Sequence, residues 1–252
     1  MIRCDMLTAG YGRINVIKDI SWEAAGGRLT AIIGPNGSGK STLLKSVMGQ
    51  TVIKNGCICL DGRPFRHWTN REIAKRIAYL PQSRNDTNIS VFRMALHGRF
   101  PYLSYPRHYT KQDEEMVIKA SERMGIHRLL DKPVSELSGG EKQRAYLTMA
   151  LVQDSSVLLL DEPTTCLDIS AQLELLGILK ELTAEGKTVV VVLHDLNQAL
   201  QCADEIVLME DGKLLQYGKP KEILEADVLE KVFHVRVHVL QDQYGKEHYC
   251  FS

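Results

Sequence analysis

The octapeptide Gly34-Pro35-Asn36-Gly37-Ser38-Gly39-Lys40-Ser41 constrains this chain more than any other stretch, because little else can surround it. It fits G-x-x-x-x-G-K-[ST], follows the apolar run Leu29 to Ile33 and precedes Thr42-Leu43-Leu44, so a buried strand should feed through a glycine-rich loop into a helix. Glycines at 34, 37 and 39 permit conformations and close approaches that a β-carbon forbids, letting successive N–H groups point at phosphate oxygens. The helix start near Gly39 adds its positive dipole end. Lys40 brings a mobile positive charge to β and γ phosphates, and the Ser41 hydroxyl is a hard oxygen ligand suited to Mg²⁺. The expected ligands are ATP and Mg²⁺, bound by residues 34 to 42.

Around this loop, apolar runs alternate with helical periodicities, which predicts an α/β core whose strands are buried on both faces. Expected core strands are Leu29 to Ile33, Ile77 to Leu80, Val157 to Leu160 and Thr188 to Leu193. Ile14, Val16, Ile20 and Trp22 read as antiparallel strands, joined by a strand carrying Ile58 and Leu60 between Asn55-Gly56 and Asp61-Gly62. Between about Ser83 and Ser135 the texture turns helical, with Ser90 to Leu96 and then Lys111 to Met124, where Met116, Val117, Ala120 and Met124 form one stripe. After Asp195 come a helix, a strand from Glu205 to Met209, the Asp211-Gly212 turn and a helix around Ile223 to Phe233. Val235, Val237 and Val239 alternate before Tyr244-Gly245, which predicts a terminal hairpin. One domain is expected over 1–252: a catalytic core over 1–82 and 136–235, a helical subdomain over 83–135 and the hairpin over 236–252.

The chain has 252 residues, and Lys plus Arg and Asp plus Glu both count 31, so no whole-chain field attracts nucleic acid or anionic lipid. No run is apolar enough to act as a signal peptide or to span a bilayer. Cys4, Cys57, Cys59, Cys166, Cys202 and Cys250 form no C-x-x-C pair, which favours reduced thiols in the cytoplasm. Cys57-x-Cys59 and His234 with His238 complete no metal-ligand cluster in sequence, and they read as structural.

A second set of residues extends the chemistry. Val157 to Leu160 leads into Asp161-Glu162-Pro163, two carboxylates at the carboxyl end of a buried strand, where open α/β sheets bind ligands. Asp161 suits magnesium, directly or through water, and Glu162 suits the general base that polarises the attacking water. Leu137-Ser138-Gly139-Gly140-Glu141-Lys142-Gln143-Arg144 opens a helix with free N–H groups, a second anion cradle. An ordinary helix cap, with Glu141 in the capping-box position, fits the same residues equally well.

Taken together these motifs resemble the nucleotide-binding subunits of ABC transporters, whose LSGGQ signature reads LSGGE here, over nearly the whole chain. The resemblance implies the ABC ATPase fold: α/β, a P-loop NTPase core with a mainly parallel sheet, an antiparallel β layer and an inserted helical subdomain. It implies a head-to-tail homodimer in which Ser138, Gly139, Gly140 and Glu141 of one copy face the nucleotide of the other. Tyr11 resembles the aromatic residue that stacks on adenine. Gln82 resembles the glutamine that meets magnesium and the attacking water, and His194 the switch histidine at the γ-phosphate. Asp168 keeps the family's aspartate in a loop where Thr165-Cys166 replaces the frequent Ser-Ala.

His97-Gly98-Arg99-Phe100-Pro101-Tyr102 further resembles the G-R-x-P element of importers for iron(III)-siderophore, haem and cobalamin. That likeness implies an ATPase pair on the cytoplasmic face of the membrane. Two transmembrane permease subunits would lie above it, and a separate extracytoplasmic protein would choose the cargo. The other reading left open is a soluble ABC-type ATPase that acts in cofactor assembly, or as a binding switch, without a permease.

Overall fold

The computed structural model describes residues 1–82, 87–241 and 247–252. The chain opens with strands β1 (Ile2–Tyr11), β2 (Ile14–Ala24) and β3 (Leu29–Ile33), helix α1 (Lys40–Val47), then β4 (Val52–Leu60) and β5 (Arg63–Pro64). Next come α2 (Asn70–Arg76), β6 (Ile77–Leu80), α3 (Val91–Leu96), a 3-10 turn at His97–Tyr102, α4 (Lys111–Arg123), α5 (Gly139–Val152) and β7 (Val157–Asp161). The remainder is α6 (Ile169–Ala184), β8 (Thr188–Val192), α7 (Leu196–Cys202), β9 (Glu205–Glu210), β10 (Lys213–Gly218), α8 (Pro220–Glu225), α9 (Val228–Phe233), β11 (Val237–Gln241) and β12 (Glu247–Phe251). Two compact units emerge, one formed by 1–67 with 179–252 and the other by 68–178. No helix among the described residues is long and apolar enough to cross a membrane.

In the first unit β3 lies between β8 and β9, parallel to both, and β10 closes the edge antiparallel to β9. All five residues of β3 and all five of β8 are buried, so both faces of these strands are covered and the sequence reads as unbroken apolar runs. Each fully buried Ile, Leu or Val contributes about 1.5–3 kcal/mol over leaving it in water. The antiparallel layer runs β2-β1-β4-β5. Here Ile2, Cys4, Ile58 and Leu60 alternate inward, as a half-buried sheet requires.

Two expectations are corrected in this unit. Asn55-Gly56 does not precede β4 but lies inside it, at a register shift opposite β1. Gly56 has φ 78°, and a β-carbon there would stand 2.3 Å from the Asp5 and Met6 carbonyl oxygens, so the glycine serves a bulge and not a turn. The helix expected from Ile223 to Phe233 is two helices, because Asp227 turns left-handed at φ 53° and breaks the ladder between α8 and α9. The terminal β11–β12 pairing sets Val237 opposite Phe251, while the Tyr244-Gly245 turn lies outside the described residues.

In the second unit β6 and β7 pair in parallel, and α3, α4 and α5 pack on one another. Residues 83–86, where the helical stretch was expected to begin, lie outside the described set. Thr110 caps α4 with Asp113 in a capping box, and Val117, Ala120 and Met124 form the buried face, whereas Met116 is only half-buried. The Gly98-Arg99 pair explains how this region closes. A β-carbon on Gly98 would meet the Met149 carbonyl oxygen at 2.4 Å. Arg99 Nε donates to Asp113 at 2.8 Å, Nη1 donates to the Val152 carbonyl at 3.3 Å, and the guanidinium stacks 3.9 Å from the Tyr102 ring centroid.

Candidate functional site

In the first unit β3 delivers the chain into the phosphate loop. Gly34 has φ 150°, and a β-carbon there would lie 2.1 Å from the Met209 carbonyl oxygen. Gly39 has φ 99° and would bring a β-carbon to 2.8 Å from Ile17 Cγ2, so neither position tolerates a side chain. Gly39 is also the left-handed N-cap of α1, with no side chain capping the helix. Lys40 is 6% exposed, and its ammonium donates to the Gly34 carbonyl at 2.8 Å and the Pro35 carbonyl at 2.9 Å.

The Ser38 hydroxyl is buried and has no hydrogen-bond partner among the described residues. Leaving such a group unsatisfied costs about 1–3 kcal/mol, so its retention beside an uncapped helix start points to a ligand that completes it. A triphosphate fits: it offers acceptors for the loop N–H groups, for the Ser38 hydroxyl and for the Lys40 ammonium. Tyr11 is 44% exposed at the end of β1, and His194 is exposed two residues past the end of β8, after the buried Leu193.

In the second unit β7 ends at Asp161, 1% exposed, with the Tyr79 hydroxyl donating to its Oδ2 at 3.4 Å. Glu162 follows with φ 52°, a left-handed conformation that a non-glycine residue holds at a cost. The Gln82 amide donates to Glu162 Oε2 at 2.6 Å, so the structure brings together two residues that lie 80 positions apart. Gln143 donates a short hydrogen bond to the Pro163 carbonyl and ties α5 to the turn after Glu162. Nothing local in the sequence singles out Gln143, since its partner comes from another element.

Ser138 caps α5 by accepting the Glu141 N–H. The Glu141 carboxylate in turn accepts the Ser138 N–H and hydroxyl, both at 2.8 Å. Those two bonds, the backbone N–H foremost, hold the Glu141 carboxyl below its ordinary range. Gly139 and Gly140 approach the Thr165–Leu167 loop: their β-carbons would lie 3.4 Å from Cys166 Cβ and from Leu167 Cδ2. Cys166 is exposed with φ 67°, and Asp168 Oδ1 accepts the Ala171 N–H at 2.8 Å at the start of α6.

In the first unit Ser41 offers a hydroxyl, and in the second Asp161 offers a carboxylate and Gln82 an amide oxygen; each is a hard oxygen donor of the kind Mg²⁺ takes, and none is a soft ligand.

A glycine cradle with an unsatisfied hydroxyl in the first unit and strand-end carboxylates in the second are the features of an ATPase of the ATP-binding cassette class. The chain belongs to the ABC transporter family, whose model matches residues 17–165. It is 42% identical over 243 residues to the ferric enterobactin transport ATP-binding protein of Escherichia coli (strain K12), covering 96% of this chain and 90% of that protein. It is 38% identical to a petrobactin import ATP-binding protein of Bacillus anthracis, over 94% of this chain and 87% of that one. Among solved structures, a dimeric ATP-binding cassette in a post-hydrolysis state bound to ADP and Pi matches with a TM-score of 0.78 at 25% identity, over 87% of this chain and 99% of that one.

Proposed function

We propose that this chain powers an ABC importer for an iron(III)-siderophore, haem or cobalamin by hydrolysing ATP. The observation that carries the ATPase reading is the open cradle at Gly34–Ser41, where Ser38 Oγ has no partner and Lys40 rests on its own loop's carbonyls. On triphosphate binding, Lys40 exchanges those carbonyls for β and γ phosphate oxygens, and Ser38 and the N–H groups of 36 to 42 complete the cradle. Tyr11 stacks on adenine. Ser41, Gln82 and Asp161 would hold Mg²⁺, which offsets charge on the phosphate oxygens.

Glu162 accepts a proton from the attacking water as the water oxygen bonds to the γ phosphorus and the bond to the β phosphate breaks, yielding ADP and phosphate. His194 donates to the γ-phosphate oxygens as they separate. The Gln82 bond to Glu162 supports this role, because it holds the carboxylate in one position before water arrives.

Two copies closing head to tail on ATP, with Ser138, Gly139, Gly140, Glu141 and Asp168 of one copy completing the site of the other, would convert hydrolysis into motion. Two permease subunits would receive that motion at the cytoplasmic face of the membrane, and an extracytoplasmic protein would deliver the cargo. The siderophore reading is supported by the two relatives, named for ferric enterobactin transport and petrobactin import.

The test is uptake of labelled iron(III)-siderophore, haem and cobalamin in a strain lacking this chain, with the complex isolated on the tagged protein. Loss of one uptake, restored by the wild-type chain and not by Lys40→Ala, with two hydrophobic subunits copurifying, is the expected result. Isolation with soluble assembly proteins alone and unchanged uptake of all three would overturn it.

A further inference from the structure

The outer face of the antiparallel layer carries a chemical cluster that ATP hydrolysis does not use. In the β1–β4 pairing Arg3 stands opposite Cys59 and Asp5 opposite Cys57. Because Ile2, Cys4, Ile58 and Leu60 point into the core, these four residues share the other face. An Asp5 carboxylate oxygen and the Cys57 and Cys59 sulfurs all lie within 4.8 Å of one another, with Cys57 Sγ 3.9 Å from Asp5 Oδ2. We propose that Asp5, Cys57 and Cys59 form a site for a single thiophilic divalent cation of the Zn²⁺ type.

The geometry needs little adjustment. With Zn–S near 2.3 Å and Zn–O near 2.0 Å, a tetrahedral site has S···S edges of about 3.8 Å and S···O edges of about 3.5 Å. The observed spacing is therefore within about 1 Å of closure, and side-chain rotation on this open face supplies that movement. Three protein ligands leave the fourth tetrahedral position open, and water would fill it. The bulge fixes the partners: Gly56, left-handed at φ 78°, seats its backbone against the Asp5 and Met6 carbonyls next to Cys57.

The charge also closes. Binding forms two metal–sulfur bonds and releases two thiol protons, so two thiolates and a carboxylate bring −3 against the metal's +2. Arg3 Nε donates to both Asp5 oxygens, at 2.9 and 3.0 Å, and its guanidinium supplies the remaining positive charge while orienting the carboxylate. Cys4 takes no part, since it sits on the buried face with its thiol pushed up to about 12 by burial. Cys57-x-Cys59 looked incomplete in sequence because the third ligand arrives by strand pairing from 52 positions away.

The full-length reduced protein should be titrated with Cd²⁺ while the ultraviolet thiolate-to-metal absorption is followed. One equivalent should saturate a band of two-thiolate intensity, and Zn²⁺ should compete it away. Cys57→Ser and Cys59→Ser should each weaken Cd²⁺ at least tenfold, and Asp5→Asn about tenfold, the size expected for removing one ligand or its orienting partner. In the wild type, Zn²⁺ should protect Cys57 and Cys59 from maleimide while Cys166 and Cys250 label at their former rates, a readout that depends on no variant folding. Absence of the band at micromolar Cd²⁺, an unchanged affinity in any of the three variants, or equal labelling of Cys57 and Cys59 with and without Zn²⁺ would overturn the site.

Discussion

Two helix starts in this protein are built from the same materials, and they are finished in opposite ways. At α5 the chain caps itself: Ser138 takes the Glu141 N–H, and Glu141 returns the bond to the Ser138 N–H and hydroxyl. At α1 it does not: Gly39 offers no side chain, Ser38 Oγ is buried without a partner, and the Lys40 ammonium folds back on two loop carbonyls. A buried hydroxyl left unsatisfied beside a helix start is a standing cost that a phosphate can offset. A helix start already closed by its own carboxylate needs no anion, and Glu141 weakens its attraction for one. On the proposed function, the first would be the primary ATP cradle in an isolated copy, and the second would contribute only after ATP is held there.

Substitutions that act on one helix start and spare the other test this contrast. The largest expected effect is Lys40→Ala, which removes the loop's positive charge and should cut ATP affinity and turnover by about a hundredfold to a thousandfold, read by calorimetry and phosphate release. Because the Gly34 and Pro35 carbonyls lose their donor, its melting temperature should also fall by about 2–4 °C for each kcal/mol lost. Next comes Ser38→Ala. Removing an unsatisfied hydroxyl should leave stability unchanged or raise it by up to about 1 kcal/mol, while ATP affinity falls about threefold to tenfold for one lost hydrogen bond.

Ser138→Ala should do the reverse. Losing the cap should cost about 1 kcal/mol, a melting-temperature drop of about 2–4 °C for a chain of this size, with ATP affinity of the isolated copy unchanged. The smallest effect is Glu141→Gln, and it depends on pH. Because folding holds the Glu141 carboxyl below its ordinary 4.5, its stabilisation is fully present above that value and is lost as pH falls through the folded value. The melting difference between wild type and Glu141→Gln should therefore shrink below about pH 4.5, and a difference that widens on acidification would contradict the capping box.

Local pattern made some of this legible. The loop at 34–41 announces itself because glycines, lysine and hydroxyl must be contiguous to surround a phosphate, and the buried strands announce themselves as unbroken apolar runs. What the sequence hid was set by partners far along the chain. Gly56 reads as a turn residue, and only the approach of the Asp5 and Met6 carbonyls makes it a bulge. Gly98-Arg99 carried a family likeness, yet its physical work is packing: Gly98 lets the Met149 carbonyl approach and Arg99 neutralises the buried Asp113 carboxylate. The Gln82–Glu162 contact and the Gln143 bond to Pro163 likewise have no periodicity to betray them. The break at Asp227 depends on a single left-handed residue, which apolar spacing alone does not mark.

The central claim is that Glu162 takes the proton from the attacking water while the loop at 34–41 holds the nucleotide. Glu162→Gln keeps the shape of the side chain and removes the base, so the direct measurement is ATP turnover and oligomeric state of that variant with Mg-ATP. The account predicts turnover reduced by about a hundredfold or more, undiminished ATP binding and a dimer that persists on ATP. A Glu162→Gln protein that hydrolyses ATP at the wild-type rate would contradict it.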